Sequence, residues 1–97
     1  MIYHVTTETD WEAALAQGFY THPSLSKEGF IHNCSLLQLP GVLERYYANI
    51  SGLVLLQIDE SKLKAPLKYE LAPSVNEEFP HIFGPINLDA VVKTEAL

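Results

Sequence analysis

The feature that most constrains the fold is a short, nearly continuous apolar run, LVLLQI, at residues 53–58. Ser51 and Gly52 precede this run and Asp59 follows it, so turn-forming residues bound it on both sides. A run of this length without polar alternation is typical of a strand that is covered on both faces. We therefore expect a central strand here, with the rest of the chain arranged around it.

Two stretches in the first half of the chain predict helices. A capping-box pattern opens the first, over residues 10–17, and Gly18 suits its left-handed end. The second is predicted over residues 39–48, where apolar side chains recur at helical spacing. Ser35 and Gln38 repeat the capping-box pattern just before it, which makes a helix cap one reading of the Ser35 hydroxyl.

The second half of the chain is rich in strand-forming residues, and both predicted helices come early. This order indicates an α+β fold, because alternating helices and strands would be expected of an α/β fold. We expect a bent or split, mostly antiparallel sheet with two helices packed on it. A chain of 97 residues suffices for one domain spanning residues 1–97.

Charge and cysteine content restrict the partners and the compartment. A formal net charge of -6 argues against general nucleic-acid binding, which depends on a basic surface. The only cysteine, Cys34, cannot form an internal disulfide, so an oxidising compartment is not required. The N-terminus lacks a basic region followed by an apolar segment, and no apolar run is long enough to span a bilayer. We expect a cytoplasmic protein with no membrane partner, and the sequence leaves its oligomeric state open.

Residues 29–35, GFIHNCS, concentrate more reactive side chains than any other short stretch. Alternation across His32 and Cys34 predicts a strand that begins buried and ends at a polar edge. Side chains and free backbone N–H groups can face a ligand together at such a junction. His4 lies in the middle of another predicted strand, at residues 2–6, so the two histidines are expected on neighbouring strands.

A metal site is the first alternative, because imidazole, thiolate and carboxylate groups all bind zinc. The candidate ligands are His4, His32, Cys34, Glu77, Glu78 and His81. Their spacing matches none of the common zinc motifs, so no metal is expected. A nucleophilic role for Cys34 has no supporting motif, and the sequence contains no GxSxG element for a serine nucleophile.

Three segments together carry a resemblance to a known family. They are residues 2–4 (IYH), residues 29–35, and residues 79–85 (FPHIFGP) with the following residues 88–92 (LDAVV). The chain resembles, over essentially its whole length, the small bacterial family known as domain of unknown function 952. That family is similar to the ADP-ribosyltransferase-like superfamily, which includes the RNA 2′-phosphotransferase branch.

The resemblance implies a split, bent sheet that holds NAD between two halves, and cleavage of the nicotinamide–ribose bond. In that chemistry a carboxylate near the ribose stabilises an oxocarbenium-like transition state. His4 is then expected to contact ribose, with His32 and Ser35 on the second strand segment. Glu77 is expected at the late acidic position, with Glu78 and Glu70 as rivals.

The leading hypothesis is therefore a protein that binds NAD, or an ADP-ribose derivative, as substrate and transfers or hydrolyses the ribosyl group. Transfer from an RNA 2′-phosphate is not favoured, because that branch holds phosphate with arginines and Arg45 is the only arginine. The alternatives are a non-catalytic module that binds a nucleotide or small metabolite, and a metal-assisted hydrolase. The expected catalytic residues are His4, His32 and Glu77, and the expected contacts to the bound ligand are Tyr3, Ser35 and His81.

Overall fold

The chain forms three α-helices and eight strands, and every strand pair is antiparallel. The computed structural model describes residues 1–97. In chain order the elements are β1 (Ile2–Thr7), α1 (Glu8–Gln17), β2 (Phe19–Tyr20), α2 (Pro23–Glu28), β3 (Ile31–His32), α3 (Leu39–Tyr46), β4 (Leu53–Ile58), β5 (Leu67–Ala72), β6 (Glu77–Ile82), β7 (Ile86–Asn87) and β8 (Val91–Ala96). Two 3₁₀ turns, Glu60–Lys62 and Leu88–Ala90, complete the fold. The expected α+β class is thus confirmed.

The apolar run at residues 53–58 forms β4, which is the middle strand of the sheet β1–β4–β8. Its side chains alternate between two buried clusters, which explains the absence of polar alternation. Val54, Leu56 and Ile58 belong to a cluster of ten buried residues, whereas Leu53 and Leu55 belong to a second cluster of five. Both faces of this strand are therefore covered, as the sequence predicts.

The other strands form two further sheets, β2–β7 and β3–β6–β5. Where the sequence predicts one bent or split sheet, the structure has three small antiparallel sheets. The first and third are joined by a backbone bridge between Tyr3 and Cys34, in which each N–H donates to the other's carbonyl at 2.8 Å. This bridge places the beginning of β1 beside the end of β3.

A proline explains why β3 is only two residues long. The N–H of Asn33 donates to the carbonyl of Pro80 at 3.1 Å, continuing the pairing of β3 with β6. Pro80 has no N–H with which to return a bond, so the ladder ends there. After Asn33 the chain leaves β6, and Cys34 pairs with Tyr3 of β1.

Helix α1 begins two residues before the predicted start. Its cap is Thr7, whose hydroxyl accepts from the N–H of Asp10 at 3.1 Å. Gly18 ends the helix, as predicted. Its φ is 92°, a backbone conformation that residues with a Cβ rarely adopt.

The prediction of two helices is wrong, because the structure contains a third helix, α2, in a segment for which the sequence predicts none. The dipeptide His22–Pro23 favours an extended residue before proline, and His22 is indeed extended. Pro23, however, occupies the first turn of α2, where its missing N–H costs nothing. The ring of His22 caps this helix by accepting from the N–H of Ser24 at 3.1 Å.

Helix α3 begins at the predicted residue and ends two residues earlier than predicted. The capping-box exchange occurs in the turn before it. The N–H of Ser35 donates to Gln38 Oε1 at 2.9 Å, and the N–H of Gln38 donates to Ser35 Oγ at 3.2 Å. None of the three helices has the length and apolar character needed to cross a membrane.

The central position of β4 leads to a stability prediction. Leu56 is fully buried, whereas Leu37 is 95% exposed. We expect Leu56→Ala to lower the free energy of unfolding by about 2–5 kcal/mol, because it leaves a cavity in the main cluster. The matched change Leu37→Ala should alter it by less than about 0.5 kcal/mol. Denaturant unfolding measures both, and equal losses at the two positions would contradict the assigned burial.

Candidate functional site

A cleft of about 540 Å³ lies beside the junction of β1 and β3. This volume is in the range of small-molecule binding sites. All four histidines of the chain and its only cysteine line the cleft. The lining residues are Tyr3, His4, Val5, His22, Glu28, His32, Asn33, Cys34, Val42, Tyr46, Tyr47, Leu71, Ala72, Phe79 and His81.

The imidazole of His4 is buried and bonded at both nitrogens. Its Nδ1 lies 2.5 Å from the backbone carbonyl of His32, and its Nε2 lies 2.7 Å from the hydroxyl of Tyr20. That hydroxyl also lies 2.9 Å from Thr6 Oγ1, deep in the protein. His4 therefore lines the cleft without leaving a ring nitrogen free for a ligand.

The partners of His4 fix its tautomer. A carbonyl can only accept, so Nδ1 carries the proton and, in the neutral ring, Nε2 accepts from the Tyr20 hydroxyl. The Tyr20 hydroxyl has a single proton, so in this arrangement the Thr6 hydroxyl, 2.9 Å away, donates to the Tyr20 oxygen. The pKa of His4 is lowered from 6.5 to about 4, chiefly by burial. The hydrogen bond to the His32 carbonyl opposes this shift, and the charges of His22 and His32 add to it. The neutral ring is thus the form present near neutral pH.

Two other histidines each bond a carboxylate and keep one nitrogen free. His32 Nε2 lies 2.8 Å from Glu28 Oε2, and His81 Nδ1 lies 2.8 Å from Glu70 Oε1. The side chain of His32 is about half exposed, at 53%, whereas that of His81 is only 12% exposed. The hydrogen bond from His32 holds the pKa of Glu28 below its usual value.

Cross-strand register brings these two imidazoles together. His32 on β3 is paired with His81 on β6, and their ring centroids are 5.3 Å apart. Phe30 contacts both rings, with its own ring stacked on His81 at 3.9 Å and edge-on to His32 at 4.9 Å. The pair is therefore fixed in place by an aromatic side chain as well as by carboxylates.

Cys34 and Asn33 are both buried in the wall of the cleft. Burial raises the pKa of the Cys34 thiol to about 11, so it is not a thiolate at neutral pH. Asn33 Nδ2 donates to the carbonyls of Ile31 and Pro80, which identifies the other amide atom as Oδ1. Asn33 Oδ1 is the only buried side-chain polar atom of the chain without a hydrogen-bond partner.

The structure brings together four of the six site residues that are predicted from the sequence. Tyr3, His4, His32 and His81 line the cleft, and Ser35 and Glu77 do not. The Ser35 hydroxyl is engaged in the turn before α3.

The candidate carboxylates lie at different places relative to the cleft. Glu77 is exposed near the amide of Gln38, and Glu78 accepts from that amide only through its backbone carbonyl. Glu70, the other rival, reaches the cleft through its bond to His81.

Glu28 is a cleft residue that the sequence does not predict. The proline at the start of α2 was the available signal, since it permits a short helix that would carry Glu28 to the edge of the predicted strand. Glu70 is one of the rivals for the acidic position, but its hydrogen bond to His81 depends on the register of β5 against β6, which is not visible in the sequence.

The donor atoms do not assemble a metal site. No group of three or more His, Cys, Asp or Glu side chains is placed so that it could hold a metal ion. The cleft also contains no lysine and no arginine, so its polar side-chain groups are imidazole rings, tyrosine hydroxyls, one thiol, one carboxylate and one amide.

Comparisons with known proteins identify relatives without a stated activity. A family model described as "Protein of unknown function (DUF952)" matches residues 5–94. The crystal structure of protein CC0527 from Caulobacter crescentus is 28% identical, with a TM-score of 0.89 over 99% of this chain and 84% of that chain. Its solution NMR structure gives a TM-score of 0.84 at 28% identity, over 99% of this chain and 83% of that chain. No curated protein matches the chain.

The buried His4 leads to a prediction for pH dependence. Between its ordinary pKa of 6.5 and its folded pKa of about 4, the unfolded chain binds a proton at His4 that the folded chain does not. Stability from this group is therefore complete above pH 6.5 and is lost as the pH falls toward 4. We expect about 3 kcal/mol of unfolding free energy to disappear over that window.

Urea titrations at a series of pH values measure this loss. His4→Gln removes the titrating group and should flatten the pH dependence by about one proton. Leu56→Val, a change in the residue paired with His4 on β4, should lower stability equally at all pH values. An unchanged slope in His4→Gln would contradict a buried, neutral His4.

Proposed function

Because the chain belongs to the DUF952 family, whose description states no function, we propose a function from its cleft: the protein binds NAD or an ADP-ribose derivative and transfers or hydrolyses the ribosyl group. The observation that carries the proposal is the convergence of all four histidines on one cleft. Ribose hydroxyls both donate and accept hydrogen bonds, and the free nitrogen of a neutral imidazole can serve as their donor or as their acceptor, depending on the tautomer. Three of the four rings have such a nitrogen.

An ADP-ribosyltransferase-like fold, with residues 1–97 as one domain, is part of this proposal. The resemblance found in the sequence implies a sheet split into two halves that hold the nucleotide. Two three-stranded sheets joined at Tyr3 and Cys34, with the cleft beside the junction, support that arrangement. The proposal keeps the cytoplasmic location expected from the sequence.

The composition of the cleft favours a particular orientation of the ligand. With no lysine or arginine in the lining, the diphosphate of NAD would extend toward solvent and the ribosyl–nicotinamide end would enter the cleft. Tyr3, Tyr46, Tyr47 and Phe79 offer aromatic surface to the heterocycle. Asn33 Oδ1 needs a donor, which a ligand hydroxyl or carboxamide provides after a small adjustment of the buried amide.

Glu28 is the carboxylate at the cleft in this proposal. Its hydrogen bond from His32 favours the ionised form, which suits a group that stabilises positive charge developing on the ribose. Glu77, expected at this position from the resemblance, is exposed outside the cleft lining. His4 acts in the proposal through its ring surface and through its hold on His32, since both nitrogens have internal partners.

A second candidate is a binding module that holds the same nucleotide without turnover. The observation in its favour is the engagement of both His4 nitrogens inside the protein, which leaves the ring without an acid–base role. Saturable binding of NAD or ADP-ribose with no chemical change would identify this function.

Release of nicotinamide tests the leading proposal. The protein is incubated with NAD and with water, alcohol or protein acceptors, and free nicotinamide is measured by chromatography. We expect release by the wild type and a loss of about 100-fold in His32→Ala, because the ring loses contact with the ribose. Lys93→Ala, an exposed change on β8, should release nicotinamide at the wild-type rate.

Calorimetric titration with NAD separates the remaining outcomes. Binding without release by the wild type would favour the non-catalytic module. If the wild type neither binds NAD nor releases nicotinamide, NAD is removed from consideration for this cleft.

A further inference from the structure

His81 is the most firmly held imidazole of the cleft that still has a free nitrogen. Its Nδ1 is bonded to Glu70 at 2.8 Å, and its ring lies nearly parallel to that of Phe30, at 3.9 Å and 13°. Only 12% of its side chain is exposed. Its orientation is therefore set by groups on three sides, because the ring of His32 is also in contact at 5.3 Å.

The bond to Glu70 determines which nitrogen can take up a proton. An ionised carboxylate only accepts, so Nδ1 of His81 carries the proton and Nε2 has the lone pair in the neutral ring. A carboxylate on the opposite nitrogen also stabilises the imidazolium that forms when Nε2 is protonated. This is the arrangement expected of a general base that faces a ligand site.

The other three histidines fit this role less well. His4 has no free nitrogen, and the Nδ1 of His22 accepts from the N–H of Ser24, which leaves its proton on Nε2 in the neutral form. His32 has a free Nδ1, but its side chain is half exposed and its carboxylate, Glu28, is itself part of the cleft lining.

The charged groups around His81 come from neighbouring strands and from α2. Lys68 is its register partner on β5, with Nζ placed 5.3 Å from the centre of the Phe83 ring. Glu70 also lies on β5, and Glu28 of α2 bonds to the neighbouring ring of His32. Of these charged groups, only the carboxylate of Glu70 forms a hydrogen bond with the His81 ring.

We propose that His81 is the general base that activates the acceptor hydroxyl, either water or an alcohol, and that Glu70 positions it. The inference rests on the proposed function, since it assigns the acceptor side of the same reaction. Nε2 takes the proton from the acceptor O–H while the oxygen forms a bond to C1′ of the ribose. The bond from C1′ to the pyridinium nitrogen breaks, its electron pair stays on that nitrogen, and neutral nicotinamide leaves. The proton on His81 then passes to solvent.

Chemical rescue tests this assignment against a merely structural role. His81→Ala should bind NAD within about 2-fold of the wild type in calorimetry and lose about 100-fold in the rate of nicotinamide release. Added imidazole should restore part of that rate, because it supplies the missing base in the space left by the ring. Glu70→Gln should lower the rate by about 10-fold with an unchanged KM, and Glu12→Gln, an exposed change on α1, should have no effect.

Each other outcome separates this inference from the proposed function. A wild-type rate in His81→Ala, or a lost rate that imidazole does not restore, would overturn the role of His81 and leave NAD as substrate. If Glu77→Gln lowers the rate of nicotinamide release and Glu70→Gln does not, the role of Glu70 is overturned. Binding of NAD without release by the wild type would overturn the proton transfer but keep the ligand, and absence of binding would overturn both.

Discussion

Three separate antiparallel sheets meet at the side chain of His4. The residue belongs to β1 of the first sheet, its Nε2 bonds Tyr20 of the second, and its Nδ1 bonds the backbone of His32 in the third. A buried imidazole is costly unless both nitrogens are paired, so the loss of either bond would destabilise this arrangement. This one neutral ring therefore links β3, and the cleft residues that it carries, to β1 and β2.

The cleft beside this ring combines rigidity with weak charge. The rings of His32 and His81 are fixed by carboxylates, by Phe30 and by the short pairing of β3 with β6. With no cationic side chain in the lining of a chain of net charge -6, attraction of a free anion is a minor contribution to binding. Shape, aromatic contact and individual hydrogen bonds, including one to the unpaired Asn33 Oδ1, determine which ligand fits.

Local features of the fold were predictable from the sequence, and long-range ones were not. The central strand β4 and the end of α1 at Gly18 follow from patterns within a few residues. Helix α2 was missed because a proline that begins a helix looks locally like a proline that interrupts one. His4 and His32 are predicted as site residues from local motifs. The hydrogen bond between Glu70 and His81, in contrast, depends on the register of β5 against β6, which no local pattern encodes.

The cleft is assembled from residues near both ends of the chain, since Tyr3 and His81 face the same space. Contacts of such wide sequence separation form late in folding, because the entropy of closing the intervening loop must be overcome first. During synthesis, β1 emerges from the ribosome long before its partner β4, and β6 emerges later still. A nascent chain therefore has no complete cleft until β6 has been made, and β1 stays unpaired, with its edges open to other chains, until β4 emerges.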